Sequence, residues 1–151
     1  MKINLKFVTD YRQFYLNDKN ANGNTGSENF WSESAFADKL AIEDGVLGIG
    51  IENDEGKVEC EFEILNSKSL IDNFTDFDHV VEASLKIHSG ILQIIDCPHS
   101  EVEMETEIEN GEYKKAERLL NRAENADYGF CGTARVEADV EIQELRFTLY
   151  K

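Results

Sequence analysis

The chain reads as a single, mainly β domain: an antiparallel β-sandwich of about nine strands, with one clear α-helix and a candidate second. Three observations predict this. Residues 101–109, EVEMETEIE, place Glu101, Glu103, Glu105, Glu107 and Glu109 at odd positions and Val102, Met104, Thr106 and Ile108 between them. Side chains alternate faces along a strand, so this stretch has one carboxylate face and one largely apolar face; on a helix the glutamates would wrap all the way round. The same pattern recurs at 58–64 (Glu59, Glu61, Glu63) and at 136–142 (Glu137, Asp139, Glu141). Finally, turn signals fall at short intervals and helical periodicity is clear only once.

Taken in order, Ile3, Leu5 and Phe7 alternate with Lys2, Asn4 and Lys6 to give a first strand, and a turn near Asp10 leads to a second over 11–16. Residues 17–29 contain no large apolar residue and predict a flexible loop; it is no domain boundary, because the residues before it are too few to fold alone. Ser32 is placed as an N-cap, with Trp31 and Phe36 spaced as a hydrophobic staple. Phe36, Ala37, Leu40 and Ala41 then follow helical spacing, which predicts a helix over 33–43 ended by Gly45.

Residues 46–52 predict a strand whose Gly48 and Gly50 share a face, as if the helix or Trp31 packed closely over them. Asn53-Asp54-Glu55-Gly56 predicts a hairpin into the strand 57–65. Residues 67–76 read as a connection with one helical turn at 69–72. Residues 79–87 alternate again, His88-Ser89-Gly90 is a turn, and 91–95 is apolar on both faces, as in a central strand. Cys97-Pro98-His99 breaks it.

After Asn110-Gly111 two readings compete. A two-residue hairpin loop would pair Glu107 with Lys114 and Glu103 with Arg118. Ala116, Leu119, Leu120 and Ala123 follow helical spacing instead, and the prediction adopted is a short strand about Tyr113 passing into a helix over 115–124. A loop over 127–133 leads to a final strand over 134–150, whose change of phase predicts a β-bulge near Gln143-Glu144.

The totals narrow the function. The net charge is −16, which disfavours nucleic acid and anionic membrane surfaces and favours cationic partners. Cys60, Cys97 and Cys131 form no CxxC and no disulfide framework; Cys60 falls on the apolar side of its strand as a buried thiol, and a cytoplasmic, reducing setting is expected. The first residues alternate and carry no continuous apolar stretch, so no signal peptide is expected.

No catalytic constellation emerges, and the chain is read as a non-enzyme. His79, His88 and His99 lack metal-site spacing, Cys97 with His99 supplies only two ligands, and Asp72, Asp76 and Asp78 lack the EF-hand pattern, so no metal and no cofactor are predicted. Lys114, Lys115, Arg118 and Arg122 are the only basic cluster; on a helix, 114, 118 and 122 would form one positive stripe.

The acidic ladders carry the functional signal. Like charges on one strand face oppose folding, so three such rows ask for a reason. One is that they are solvated outer faces screened by salt. The other is docking: carboxylates about 7 Å apart along a strand match the spacing of phosphates in a nucleic-acid strand and could fill the basic cleft of a nuclease. Glu105 and Glu107 are central in the longest row. The partner-binding candidates are therefore Glu101, Glu103, Glu105, Glu107, Glu109, Glu59, Glu61, Glu63, Glu137, Asp139 and Glu141.

A small, acidic β protein of this kind looks like the bacterial immunity proteins that neutralise secreted toxins. Within 81–113, EASLKIHSGILQIID followed by ENGEY is similar to the competence-type nuclease inhibitor family (ComJ-like), with its strand, glycine-containing turn, strand and later Gly-x-Tyr. That family implies an alternating strand after the tyrosine, where this chain has Lys114-Lys115-Ala116-Glu117. The resemblance implies inhibition of a basic toxin or nuclease by occlusion. The competing expectation is a carbohydrate- or small-molecule-binding sandwich, which would need an exposed aromatic platform from Trp31, Tyr11, Phe14 or Tyr128.

Overall fold

The computed structural model describes residues 1–52, 56–65, 79–109, 111–120, 131–138 and 143–145. They form β1 (Lys2–Val8), β2 (Gln13–Asp18), α1 (Glu33–Asp38), β3 (Leu40–Glu43), β4 (Val46–Gly50), β5 (Lys57–Leu65), β6 (His79–Ile87), β7 (Ile91–Ile95), β8 (Val102–Glu107), β9 (Gly111–Leu120), β10 (Cys131–Ala138) and β11 (Gln143–Leu145). A six-stranded sheet runs β1-β5-β10-β11-β9-β6, and a five-stranded sheet runs β3-β4-β2-β7-β8. Pairing is mostly antiparallel, with parallel pairs β5–β10 and β9–β11. The mainly β, two-sheet architecture is the one the alternation predicts.

The two sheets close on one core. Phe7, Val58, Phe62, Leu85 and Ile87 from the first sheet meet Phe14, Leu16, Leu47, Leu92 and Ile94 from the second. The rings of Phe7 and Phe14 touch edge to face across the gap, centroids 5.5 Å apart. These positions are spaced by two in their strands, which is why period-2 alternation finds them. Cys60 is buried there as a reduced thiol.

A second, smaller core lies on the outer face of the five-stranded sheet, where Tyr15, Ala41, Val46 and Cys97 are covered by Phe30 and Ala35, with Trp31 packed alongside. Gly48 makes this possible: a Cβ there would stand 2.9 Å from both the Phe30 ring and Trp31 Cζ2. The predicted close packing over the strand glycines is thus found, with Phe30 joining Trp31.

Several expectations are corrected. The helix predicted over 33–43 is only α1, Glu33–Asp38. The Ser32 cap is present, Oγ accepting from Ala35 N at 3.2 Å, and so is the Trp31–Phe36 staple, rings stacked at 5.4 Å. But Lys39 takes a left-handed φ of 55° and ends the helix, and Leu40 and Ala41 belong to β3. Gly45 (φ 72°) serves the β3–β4 turn. Ala35, not Phe36, is the buried helical residue; Phe36 is 63% exposed. Asn17 and Asp18, placed in the loop by sequence, complete β2.

Three local connections are also reassigned. β4 and β5 lie in different sheets, so 53–56 joins no hairpin. β8 and β9 likewise lie in different sheets: β9 pairs with β6, and the Glu107–Lys114 and Glu103–Arg118 pairs do not form. Residues 115–120 are strand, not helix, as the resemblance implied for the stretch after Tyr113. Cys131 to Thr133 begin β10, and Gln143-Glu144, the predicted site of a bulge, pair in regular register with β10 as β11 folds back antiparallel on it, Val136 opposite Leu145; 139–142 and 146–150 lie outside the described residues. The helical turn expected at 69–72 lies outside the described residues.

Candidate protein-docking site

β8 is an edge strand of the five-stranded sheet. Such an edge offers unpaired backbone groups, and charge along it guards against indiscriminate pairing. Glu101, Glu105, Glu107 and Glu109 are exposed, as the alternation predicts, and Met104 is buried inward. Glu103 departs from the pattern. Met104 pairs with Ile94 but Val102 with Ile95, so Glu103 is the extra residue of a β-bulge. The bulge turns Val102 out to 52% exposure and leaves Glu103 half-buried. Burial first, and the neighbouring carboxylates of Asp96 and Glu101 second, push the Glu103 carboxyl above its usual range.

A polar row crosses the outer face here, because residues directly opposite in antiparallel strands share a face. Asn17 of β2 stands opposite Gln93 of β7, and Gln93 opposite Glu105 of β8. Gln93 Nε2 donates to Glu105 Oε2 at 2.6 Å, and Lys19 Nζ reaches both Glu105 oxygens at 3.0 and 3.1 Å. These two donors hold the Glu105 carboxyl below its usual range. Glu105 is thereby a fixed, ionised centre of the row. Asn17 is buried and its Oδ1 has no donor partner among the described residues.

Just behind the row, Asp18 ties three elements together. Its carboxylate accepts from Asn20 N at 2.7 Å, from Ser89 N at 2.8 Å and from His88 N. Burial alone would raise its pKa, but the backbone donors of Ser89, Asn20 and His88 with the Ser89 side chain outweigh it and the net direction is down. At the other end, Asp96 Oδ1 accepts from Glu101 N at 2.6 Å and fixes the entry into β8.

The other predicted ladders are placed differently. Glu59 and Glu61 lie on β5, beside β1, and pair with Lys6 at 2.7 Å and Lys2 at 2.8 Å. The period-2 lysines of β1 thus offset the period-2 glutamates of β5. Glu63 stands in register with Lys2 on one side and Arg135 on the other. Glu137 belongs to β10, opposite Leu65 and Glu144; Asp139 and Glu141 lie outside the described residues. The ladders of β5 and β8 therefore lie in different sheets, β5 in the first, beside β10, and β8 in the second. The basic residues 114 and 118 lie in a strand, so no helical stripe forms, and Arg122 lies outside the described residues.

Sequence reasoning missed Lys19, Asn17 and Asp18, which it assigned to a loop, and Gln93. The signal for Gln93 was legible: one polar residue inside the apolar central strand 91–95 needs a partner when buried. Of the proposed aromatic platform, Phe14 belongs to the core, Trp31 stacks on Phe36 over Gly48 and Gly50, Tyr11 is exposed, and Tyr128 lies outside the described residues. Among the described residues no group of three or more His, Cys, Asp or Glu could hold a metal, and no helix is long and apolar enough to cross a membrane.

The fold and this edge define a two-sheet β-sandwich with a carboxylate-bearing edge strand braced by buried polar groups. No family model matches the chain, and no curated protein matches it. Two solved structures share the fold. One is ComJ from Bacillus subtilis, inhibitor of the DNA-degrading activity of NucA, with a TM-score of 0.62 at 14% identity over 100% of this chain and 96% of that one. The other is the product of crocagin biosynthetic gene J, with a TM-score of 0.51 at 13% identity over 85% of this chain and 92% of that one.

Proposed function

We propose that the chain is an inhibitor or immunity protein that binds a cationic DNA-degrading enzyme or toxin domain and neutralises it by occlusion, not by catalysis. The observation that carries this reading is the end-to-end correspondence of its fold with ComJ, an inhibitor of a nuclease. The β8 edge supplies a surface suited to docking a cation, with carboxylates at Glu101, Glu103, Glu105, Glu107 and Glu109 and with Glu105 held in place by Gln93 and Lys19. A net charge of −16 steers a cationic partner toward it. The cytoplasm, where Cys60 and Cys97 stay reduced, is the fitting setting.

The test is inhibition of DNA degradation by NucA, and by any nuclease encoded beside this chain's gene. Activity should fall to a floor at one-to-one stoichiometry. Replacing Glu103, Glu105 and Glu107 together by Gln should lower kon roughly tenfold at low salt, with the difference lost near about 0.5 M salt, because exposed charges act on encounter and are screened. Full nuclease activity in excess inhibitor would overturn the reading. Inhibition with an unchanged kon in the triple variant would move the docking surface away from β8.

A further inference from the structure

We infer that Tyr11 is the apolar anchor of the docking surface, set at the end of the acidic edge to fill a notch in the cationic partner. This rests on the inhibitor reading and adds to it the residue that governs how long the complex lasts.

The first observation is conformational. Tyr11 and Arg12 have φ of 53° and 55°, and Gln13 N donates to Asp10 O at 3.3 Å. Two successive left-handed residues closed by that bond are the signature of a type I′ turn, which Asn-Gly serves and which bulky L-residues resist. Folding alone would favour replacing this Tyr-Arg pair. Strain of this kind persists where the surroundings impose it and clusters at functional sites.

The second observation is display. Tyr11 is 74% exposed, so burial in this chain is not what the tyrosine is for. Its turn is nevertheless firmly held: Ile51 N donates to Arg12 O at 2.7 Å, Asp10 N to Cys97 O at 2.7 Å, Thr9 N to Gly56 O at 2.9 Å and Cys97 N to Thr9 Oγ1 at 2.9 Å. An aromatic ring on a braced frame loses little freedom on binding, which is how a small number of residues come to dominate an interface.

The third observation is the setting. The lacing through Cys97 joins this turn to the segment that enters β8; β1, which leads into the turn, ends on Val8, 61% exposed, and β8 begins on Val102, 52% exposed. Asp10 in the turn and Glu101 at the entry to β8 are exposed, with Glu103 half-buried in the bulge; Arg12 in the turn and Lys57, opposite Val8 in the β1–β5 register, are exposed as well. Exposed apolar side chains set among charged ones are what protein interfaces bury. The net charge of −16 and the glutamate row from Glu103 to Glu109 select a cationic protein as occupant.

Surface-immobilised NucA and the adjacent-gene nuclease are the probes. Tyr11→Ala should leave kon within about twofold and raise koff at least about tenfold, the scale of a buried aromatic anchor, whereas the triple glutamate variant acts on kon. The double variant Tyr11→Asn, Arg12→Gly should raise the melting temperature by roughly 5 °C through relief of the turn and yet dissociate as fast as Tyr11→Ala. Dissociation rates within twofold of the parent in both variants would overturn the anchor and leave the inhibitor reading standing. If the parent chain binds neither nuclease, the inhibitor reading itself falls and the anchor with it.

Discussion

Removing the Asp18 carboxylate should destabilise the fold more than removing any exposed glutamate of β8. Asp18 is 2% exposed and accepts from three backbone N–H groups, those of Asn20, Ser89 and His88. Its own N–H donates to Gly45 O and its C=O accepts from Ala21 N, so the residue joins the β3–β4 turn, the start of the covering segment and the β6–β7 turn. A hydrogen bond to a charged group contributes about 1.5–3 kcal/mol, offset by the desolvation of that group. Three such bonds less one buried charge leave about 3–5 kcal/mol for Asp18→Ala, much of it from donors left without an acceptor. The pH dependence has a definite sign. The folded pKa lies below the ordinary value of 3.8, so the carboxylate stabilises the fold fully above that value and progressively less as pH falls through the folded pKa. Urea unfolding followed by Trp31 fluorescence and circular dichroism at pH 7, 5, 4 and 3 measures the gap between parent and variant. It should be constant from pH 7 to 5 and narrow below about pH 4. A gap under about 1 kcal/mol at pH 7, or one that persists undiminished at pH 3, would refute the assignment of these bonds to an ionised Asp18.

Two further outcomes follow from the same face. Gly48→Ala places a methyl 2.9 Å from the Phe30 ring and from Trp31 Cζ2; displacing that pair should cost about 1–3 kcal/mol and shift the Trp31 emission to the red, and an unchanged melting temperature would contradict the packing. Glu103→Gln should stabilise the fold slightly at neutral pH, because a carboxyl whose folded pKa is raised by burial, Asp96 and Glu101 opposes folding when ionised. The gain should vanish in acid, where the parent is protonated too, and a side-chain NMR titration of Glu103 should give a midpoint above 4.5.

The strands were legible because burial on one face imposes period 2: Leu5 and Phe7, Val58 to Ile64, and Ala83 to Ile87 announce themselves one residue at a time. Sheet membership was not, because it is decided by partners far away in the chain. Asn53-Asp54-Glu55-Gly56 and Asn110-Gly111 carry hairpin chemistry, yet the strands on either side of each belong to different sheets. Local turn propensity reports a reversal or corner and cannot report which sheet receives the next strand. The helix was overextended for a related reason. Leu40 and Ala41 follow helical spacing from Phe36, while β3 buries them in the two different cores and so shows no period-2 signal; the residue that separates the two readings, Lys39 in a left-handed conformation, is not a glycine and gives no warning.

The candidate site divides along the same line, and the division bears on which ladder can dock. Five glutamates spaced by two on one strand are visible in sequence; what neutralises them is not. Lys2 and Lys6 have the same period as Glu59 and Glu61, and antiparallel pairing of β1 with β5 brings these lysines into ion pairs with the glutamates. That row therefore presents alternating sign to a partner and steers little. On β8, at the sheet edge, Glu105 is met by Lys19 and Gln93 from the inner side, contacts that span 86 and 12 residues of sequence. Fixing one carboxylate in the middle of an exposed row lowers the entropy cost of presenting it to a cation. The ladder on β5 is thus tied up in pairing two strands, and it is the ladder on β8, at a sheet edge, that we propose for the partner.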